Sequence, residues 1–286
     1  MTEYLLLLGA DQFLRERAYA GGKAIGDFQI WTTIQNAKYK YNAYFDFCID
    51  ANPLSYEEIK KEIAYYQIQG YEPKSIVSLN DWTLEVANQL NRDYGLPYLE
   101  PKVIKACRNK HIMKSLFEKA DIPTAKSIQF NDATELKECI KEFTFPVIIK
   151  PMDFGGSGGV YLANNEKECM DAYRKSKQIM ETYADTFHVF KNKFLIETFI
   201  DSDDEVSVEV LCGHHFYEVI TVTEKYLSPR PWFTEMGHLV PSHRYKNEDI
   251  KKPCNPHVSD FRYYARRCSC GNKNQRRPTL CHRSYC

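Results

Sequence analysis

The chain has no apolar run approaching the ~18 residues of a membrane-spanning helix. Its N-terminal apolar stretch, Tyr4 to Leu8, is too short for a span or a signal-peptide core. This excludes a helical membrane span and predicts a cytoplasmic protein without a membrane partner. Net charge is missing too, since 38 Lys and Arg balance 38 Asp and Glu. The balance is uneven, because residues 251–286 hold nine basic residues and one acid, leaving 29 basic (38 − 9) against 37 acidic (38 − 1) before them. An acidic body argues against a nucleic-acid partner, and the tyrosines and lysines between Asn36 and Tyr44 read as a solvated aromatic-rich surface. Neither of two common phosphate-binding patterns occurs: there is no G-x-x-x-x-G-K-S/T and no G-x-G-x-x-G opening a helix. Ten cysteines include no Cys-x-x-Cys pair, which weakens a zinc reading. A disulfide framework does not suit a cytosolic chain.

What the chain does have is the stretch Phe145 to Val160, FPVIIKPMDFGGSGGV. Val147, Ile148 and Ile149 have the composition of a short buried strand, and Lys150 stands at its end. The loop that follows carries Gly155, Gly156, Ser157, Gly158 and Gly159, after which Val160, Tyr161 and Leu162 resume a strand-like run. A lysine leaving a strand into such a loop suits polyphosphate, because glycine backbone N–H groups approach oxygens closely and the ammonium neutralises charge. For the glycines alone, a flexible hairpin is the competing reading.

A chain of 286 residues with 43% hydrophobic residues suggests two or three domains of about 100–150 residues each. Strands are expected at Tyr4–Leu8, Ile30–Ile34, Tyr44–Ile49 and Ser75–Leu79, alternating with helices that end near Ile25, Gln69 and Tyr94. That alternation predicts a parallel sheet wrapped by helices over residues 1–105. Gly95, Pro97 and Pro101 punctuate a boundary. A helix is expected over Asn109–Ala120 with Asn109 as its cap and Lys110 in its first turn, where a cation conflicts with the helix dipole unless a phosphate binds there. A solvent-exposed lysine is the plainer reading. Glu197 lies inside the apolar run FLIETFI and must either face solvent or be hydrogen-bonded, and the adenine amine is one suitable donor. Glu205 opens an alternating strand through Val206, Val208 and Val210 and offers a carboxylate to ribose hydroxyls, or belongs only to a solvated acidic turn.

The order of these elements is informative: Arg-Asn-Lys opening a helix, Ile-Pro-Thr, Pro-Val-Ile-Ile-Lys-Pro, a glycine-rich hairpin, Ile-Glu-Thr-Phe-Ile and Glu-Val-Ser-Val-Glu. From about Leu5 to Ser242 it resembles the ATP-grasp superfamily, in its carboxylate–amine ligase branch with biotin carboxylase and the L-amino-acid ligases. The resemblance implies an α/β and α+β fold: a Rossmann-like pre-ATP-grasp domain (1–105), a small ATP-grasp subdomain with a glycine-rich lid (106–192) and the start of a second subdomain (193–250). It implies ATP as cofactor. Lys110, Lys150 and Gly155 to Gly159 would contact phosphates, Glu197, Phe199 and Ile200 adenine, and Glu205 ribose. Glu235, His238 and Pro241 would line an acceptor site. The implied reaction activates a small-molecule carboxylate as an acylphosphate and joins it to an amine, amino acids being candidates for both, with ADP and phosphate released. A homodimer is compatible with the branch, and a nucleotide-binding regulatory protein without turnover is the alternative.

Magnesium is expected in the intact family, held by carboxylates downstream of the acceptor loop. Here no Asp or Glu follows Asp260, and five of the ten cysteines fall in the last 33 residues. The segment 251–286 is therefore read as an aberrant, out-of-frame tail without a fold of its own, and the ATP-grasp module as incomplete, with no metal ligand or catalytic residue assigned. On that reading the chain binds ATP and releases no ADP. Zinc ligation by Cys254, His257, Cys268, Cys270, Cys281, His282 and Cys286 is the competing account of the tail.

Overall fold

The computed structural model describes residues 1–9, 16–22, 24, 26–33, 42–187, 192–202, 204–212, 217–247, 250, 267–271 and 280–282. The chain forms two compact units, Met1–Ile104 and Lys105–Cys286.

In the first unit, β1 (Thr2–Leu8), α1 (Glu16–Gly22), β2 (Gln29–Thr33), β3 (Phe47–Ile49), α2 (Tyr56–Ile68), β4 (Tyr71–Ser78) and α3 (Leu84–Asp93) follow in order. The four strands form one parallel sheet in the order β3-β2-β1-β4. Parallel sheets are covered on both faces, which explains the nearly continuous apolar run of β1. Tyr4, Leu6 and Leu8 pack with Trp31, Ile59, Ile63, Ala87 and Leu90 on the α2 and α3 side, while Leu7 and Ile30 meet Tyr19 of α1 on the other. The α/β expectation for this unit is met.

A helix that sequence reasoning read only as a boundary, α4 (Pro101–Arg108), crosses the division between the units. Pro101 is its first residue, where the missing N–H costs nothing and the fixed φ favours the helix. The second unit continues with α5 (Lys110–Lys119), β5 (Ser127–Phe130), α6 (Ala133–Ile140), β6 (Val147–Pro151), β7 (Tyr161–Ala163), α7 (Glu166–Phe187) and β8 (Phe194–Thr198). Asn109 caps α5 by accepting from the Ile112 backbone N–H at 3.0 Å, as its position suggested. The strands form an antiparallel sheet ordered β5-β8-β6-β7. Strand side chains alternate between faces, so Val147, Ile149, Phe194 and Ile196 enter a core with Leu136, Tyr173 and Met180, whereas Lys150 and Glu197 share the opposite face.

A second sheet contains β9 (Glu205–Cys212), β10 (Tyr217–Leu227), β11 (Glu235–Leu239), β12 (Arg267–Gly271) and β13 (Leu280–His282), ordered β11-β10-β9-β12-β13. One face of β9 and β10 buries Val206, Val208 and Val222 against Ile250. The other carries Glu205, Ser207, Thr223 and Lys225. Of the tail, the described part is the backbone of β12 and β13, with β12 antiparallel to β9. The rest of 251–286, and with it the proposed zinc ligands' side chains, lies outside the described residues.

Candidate functional site

The β6–β7 connection is a hairpin, as its sequence indicated, and no helix opens from it. Gly156 and Ser157 both have positive φ (60° and 57°), and the Gly158 N–H donates to the Gly155 carbonyl at 3.1 Å, closing a tight turn. Gly159 also has positive φ (74°), and a Cβ there would lie 2.9 Å from Cγ of Pro151. The Ser176 hydroxyl on α7 donates to the Gly159 carbonyl and fixes the returning strand. Gly159→Ala is therefore expected to destabilise the chain by at least about 1 kcal/mol from left-handed strain alone, readable as a lower denaturation midpoint, whereas Gly156→Ala meets no neighbouring atom and incurs only the strain.

Beneath the hairpin's entry, Lys110 donates from Nζ to the carbonyl oxygens of Met152 and Phe154, each at 3.0 Å, and is buried. Beside it the Arg108 guanidinium stands 3.5 Å from the Asp153 carboxylate, both side chains being buried. Lys110 thus anchors the loop from below in this structure, where the resemblance implied a phosphate contact.

Lys150 Nζ lies 2.7 Å from Glu197 Oε2, and Lys114 Nζ lies 3.5 Å from Glu197 Oε1. The three side chains are 6%, 5% and 1% exposed for Lys150, Lys114 and Glu197. A buried carboxylate needs such partners, and β6 and β8 supply the pair because Ile148 faces Glu197 in the antiparallel register with Lys150 two residues further along. Lys114 also donates to Thr124 Oγ1 at 3.2 Å and to the Ala125 carbonyl at 3.1 Å. Burial pushes the Lys150 ammonium below the usual lysine range, Glu197 opposes this, and Lys114 adds to it.

A second cluster lies on the polar face of β9, β10 and β11. Lys225 Nζ is 2.6 Å from Glu235 Oε1 and 3.4 Å from Glu205 Oε1, and Glu235 Oε2 is 3.0 Å from Nε2 of His238. The first cluster holds two cations and one carboxylate, the second one lysine and two carboxylates. The charge of Glu205 is also felt by Lys150, more weakly than that of Glu197 or Lys114. Lysines outnumber carboxylates in the first cluster, and the reverse holds in the second.

Between β8 and β9, Phe199 and Ile200 are half-buried in a linker whose Phe199 N–H donates to the Pro146 carbonyl at 3.4 Å. The β10–β11 loop meets this linker: the Arg230 guanidinium sits 4.9 Å above the Phe199 ring, and the Phe233 ring centroid is 6.2 Å away. Pro241 is exposed just beyond β11. Lys150 and Glu197 are thus brought together, Glu205 is joined to Glu235 and His238, and Lys110 is placed under the loop. Lys114 and Lys225 were missed. For Lys114 a signal existed, since it follows Lys110 by one helical turn and so shares its face.

Known proteins resemble this chain over part of its length. Residues 143–255 match the ATP-grasp domain family. A curated relative, the 2-oxoglutarate carboxylase small subunit of Hydrogenobacter thermophilus, is 25% identical over 159 residues, covering 54% of this chain and 32% of that protein. Alanine–anticapsin ligase of Bacillus subtilis is 24% identical over 157 residues, covering 51% and 32%. The crystal structure of L-amino acid ligase from Bacillus licheniformis superposes with a TM-score of 0.72 at 17% identity, covering 96% of this chain and 66% of that one. The chain thus spans about a third of the length of these curated relatives. Over nearly its whole length the chain shares the fold of that L-amino acid ligase structure. The ATP-grasp family match takes in β6 to β11, and with them the glycine hairpin.

Magnesium, which the ATP-grasp family implies, does not fit the side chains present: among the described residues no three His, Cys, Asp or Glu groups converge to hold an ion. Hard cations need several oxygens, and the carboxylate at the lysine-rich end, Glu197, is already held between two lysines. Among the described residues, no helix is long and apolar enough to cross a membrane.

Proposed function

We propose that the chain binds ATP along the polar site and serves the ligation of a small-molecule carboxylate to an amine. The single observation that carries this reading is the buried Lys114–Glu197–Lys150 cluster at the foot of the glycine hairpin. Two lysines converge there on one carboxylate, an arrangement suited to an anion, and four of the five residues from Gly155 to Gly159 are glycines, whose amides no side chain of their own shields. On this reading Lys150 neutralises the phosphates, Glu197 and the Phe199–Ile200 linker face adenine, and Glu205 accepts from the ribose hydroxyls. Glu235, His238 and Pro241 border the acceptor. Lys110 leaves its two carbonyls for a phosphate, or stays as the loop's anchor.

The chemistry is a phosphoryl transfer followed by acyl transfer. A carboxylate oxygen attacks the γ-phosphorus, the bond to the β-phosphate oxygen breaks, and ADP leaves. The amine then attacks the acyl carbon and inorganic phosphate departs with the electron pair of the C–O bond. Such steps rest on positioning and charge neutralisation, which buried lysines and fixed amides provide. A second reading, nucleotide binding without turnover, is favoured by the lack of a three-donor metal cluster among the described residues.

Two assays test the proposal together. Saturating ATP, at 100 times its dissociation constant, is expected to stabilise the chain by about 2.7 kcal/mol, readable as a raised melting point. ADP release over a panel of amino-acid pairs then separates the readings: release with one pair supports ligation, a melting shift without release supports binding alone, and neither signal refutes both.

A further inference from the structure

Glu205, Lys225 and His238 lie in one cross-strand row: Lys225 is paired with Glu205 of β9 on one side and with His238 of β11 on the other. Side chains in such a row project from the same face of the sheet. Glu235, three residues before His238, would face the opposite side of a regular strand. The β10–β11 register shifts between Tyr226 and Leu227, however, and the irregularity turns Glu235 onto the row's face. Its carboxylate then reaches Lys225 at 2.6 Å with one oxygen and His238 at 3.0 Å with the other. Lys225 is 1% exposed, and both Glu235 and Glu205, the latter 3.4 Å away, are within ion-pairing reach of its ammonium.

We infer that Lys225 is a positioning residue that couples the nucleotide end of the site to the acceptor end, by dividing one buried charge between Glu205 and Glu235. This rests on the proposed reading, in which Glu205 takes the ribose hydroxyls and Glu235 borders the acceptor. A hydroxyl donating to Glu205 competes with Lys225 for that carboxylate. As Glu205 turns to the ribose, Lys225 commits to Glu235, and the Glu235–His238 pair is set for the acceptor. The reverse follows by reciprocity: whatever draws Lys225 toward Glu235 frees Glu205 for the nucleotide. An acceptor whose ammonium or amine engages Glu235 releases Lys225 to Glu205 and weakens ribose binding, whereas one whose carboxylate engages His238 leaves Glu235 to Lys225 and strengthens it.

The test compares the affinities of ATP and 2′,3′-dideoxy-ATP, which differ only in the hydroxyls facing Glu205, by titration calorimetry of the full chain. Wild type is expected to prefer ATP. Glu235→Gln, which lies outside the ribose contact, hands Lys225 to Glu205 and is expected to lower the preference for ATP about fivefold, the lower range of coupling between sites, with dideoxy-ATP unaffected. His238→Ala, at an exposed position, removes the competing partner of Glu235 and is expected to raise the preference. Opposite signs from two neighbours on one strand are not the result of general loosening. The inference is overturned if both variants keep the wild-type preference, or if Glu235→Gln weakens both nucleotides alike. Wild type binding neither nucleotide would instead overturn the nucleotide reading, and this inference with it.

Discussion

Glu197→Ala is expected to lower the melting point by on the order of 10 °C, the largest single-residue stability effect in the second unit. Removing one member of a buried ion pair leaves its partners charged and unpaired, at a cost of roughly 3–5 kcal/mol. Here two lysines are stranded, Lys150 at 2.7 Å and Lys114 at 3.5 Å from the missing carboxylate. For a unit of this size, each kcal/mol corresponds to roughly 2–4 °C. Lys150 escapes part of the penalty by losing its proton, because burial already disfavours its charged form. The loss should therefore be steepest at low pH and shrink as the solution becomes alkaline. A melting series from neutral to alkaline pH checks both the size and the trend. A change under about 1 kcal/mol, within the range of an exposed pair, would mean that the cluster is solvated.

Lys150→Met is expected to weaken ATP binding about 10- to 100-fold, the equivalent of one charge-assisted hydrogen bond. Folding should survive better than in Glu197→Ala, because Glu197 keeps Lys114. The sign of the pH dependence follows from linkage. In the free protein the Lys150 pKa lies below its usual 10.5, so in the window between the lowered value and 10.5 the unfolded chain binds the more protons. Its contribution to stability therefore rises with pH through that window. A bound phosphate favours the ammonium and raises the pKa again, so ATP binding draws in a proton when Lys150 is partly neutral. Calorimetry in buffers of different ionisation heat should detect this uptake in wild type at alkaline pH and lose it in Lys150→Met. Equal uptake in both proteins would assign the proton to another group.

The elements that were legible in the sequence are those whose signal is local. The run Val147–Ile149 with its glycines announced the β6–β7 hairpin, Asn109 announced the cap of α5, and the alternation of apolar runs and helices announced the parallel sheet of the first unit. Pro101 read as an interruption and proved to be the first residue of α4, because proline both ends and begins helices. The charged network was less legible. Lys114 and Lys225 look like solvent-facing lysines on an amphipathic helix and an alternating strand, and only the fold brings Glu197 to one and Glu205 and Glu235 to the other. Lys110 was singled out for a phosphate, and the structure gives it two backbone carbonyls that no spacing rule could reveal. Glu235 was tied to the acceptor by resemblance, but its link to Glu205 depends on a register shift that a regular strand pattern does not show.

The central claim, that the glycine hairpin, Lys150 and the Glu197–Ile200 linker form one nucleotide site, is tested most directly by amide hydrogen exchange with and without saturating ATP. The account predicts slowed exchange in peptides covering Lys150 to Val160 and Glu197 to Glu205, with the parallel sheet of the first unit unchanged. Protection confined to other segments, or none at a concentration where binding heat is seen, would contradict it.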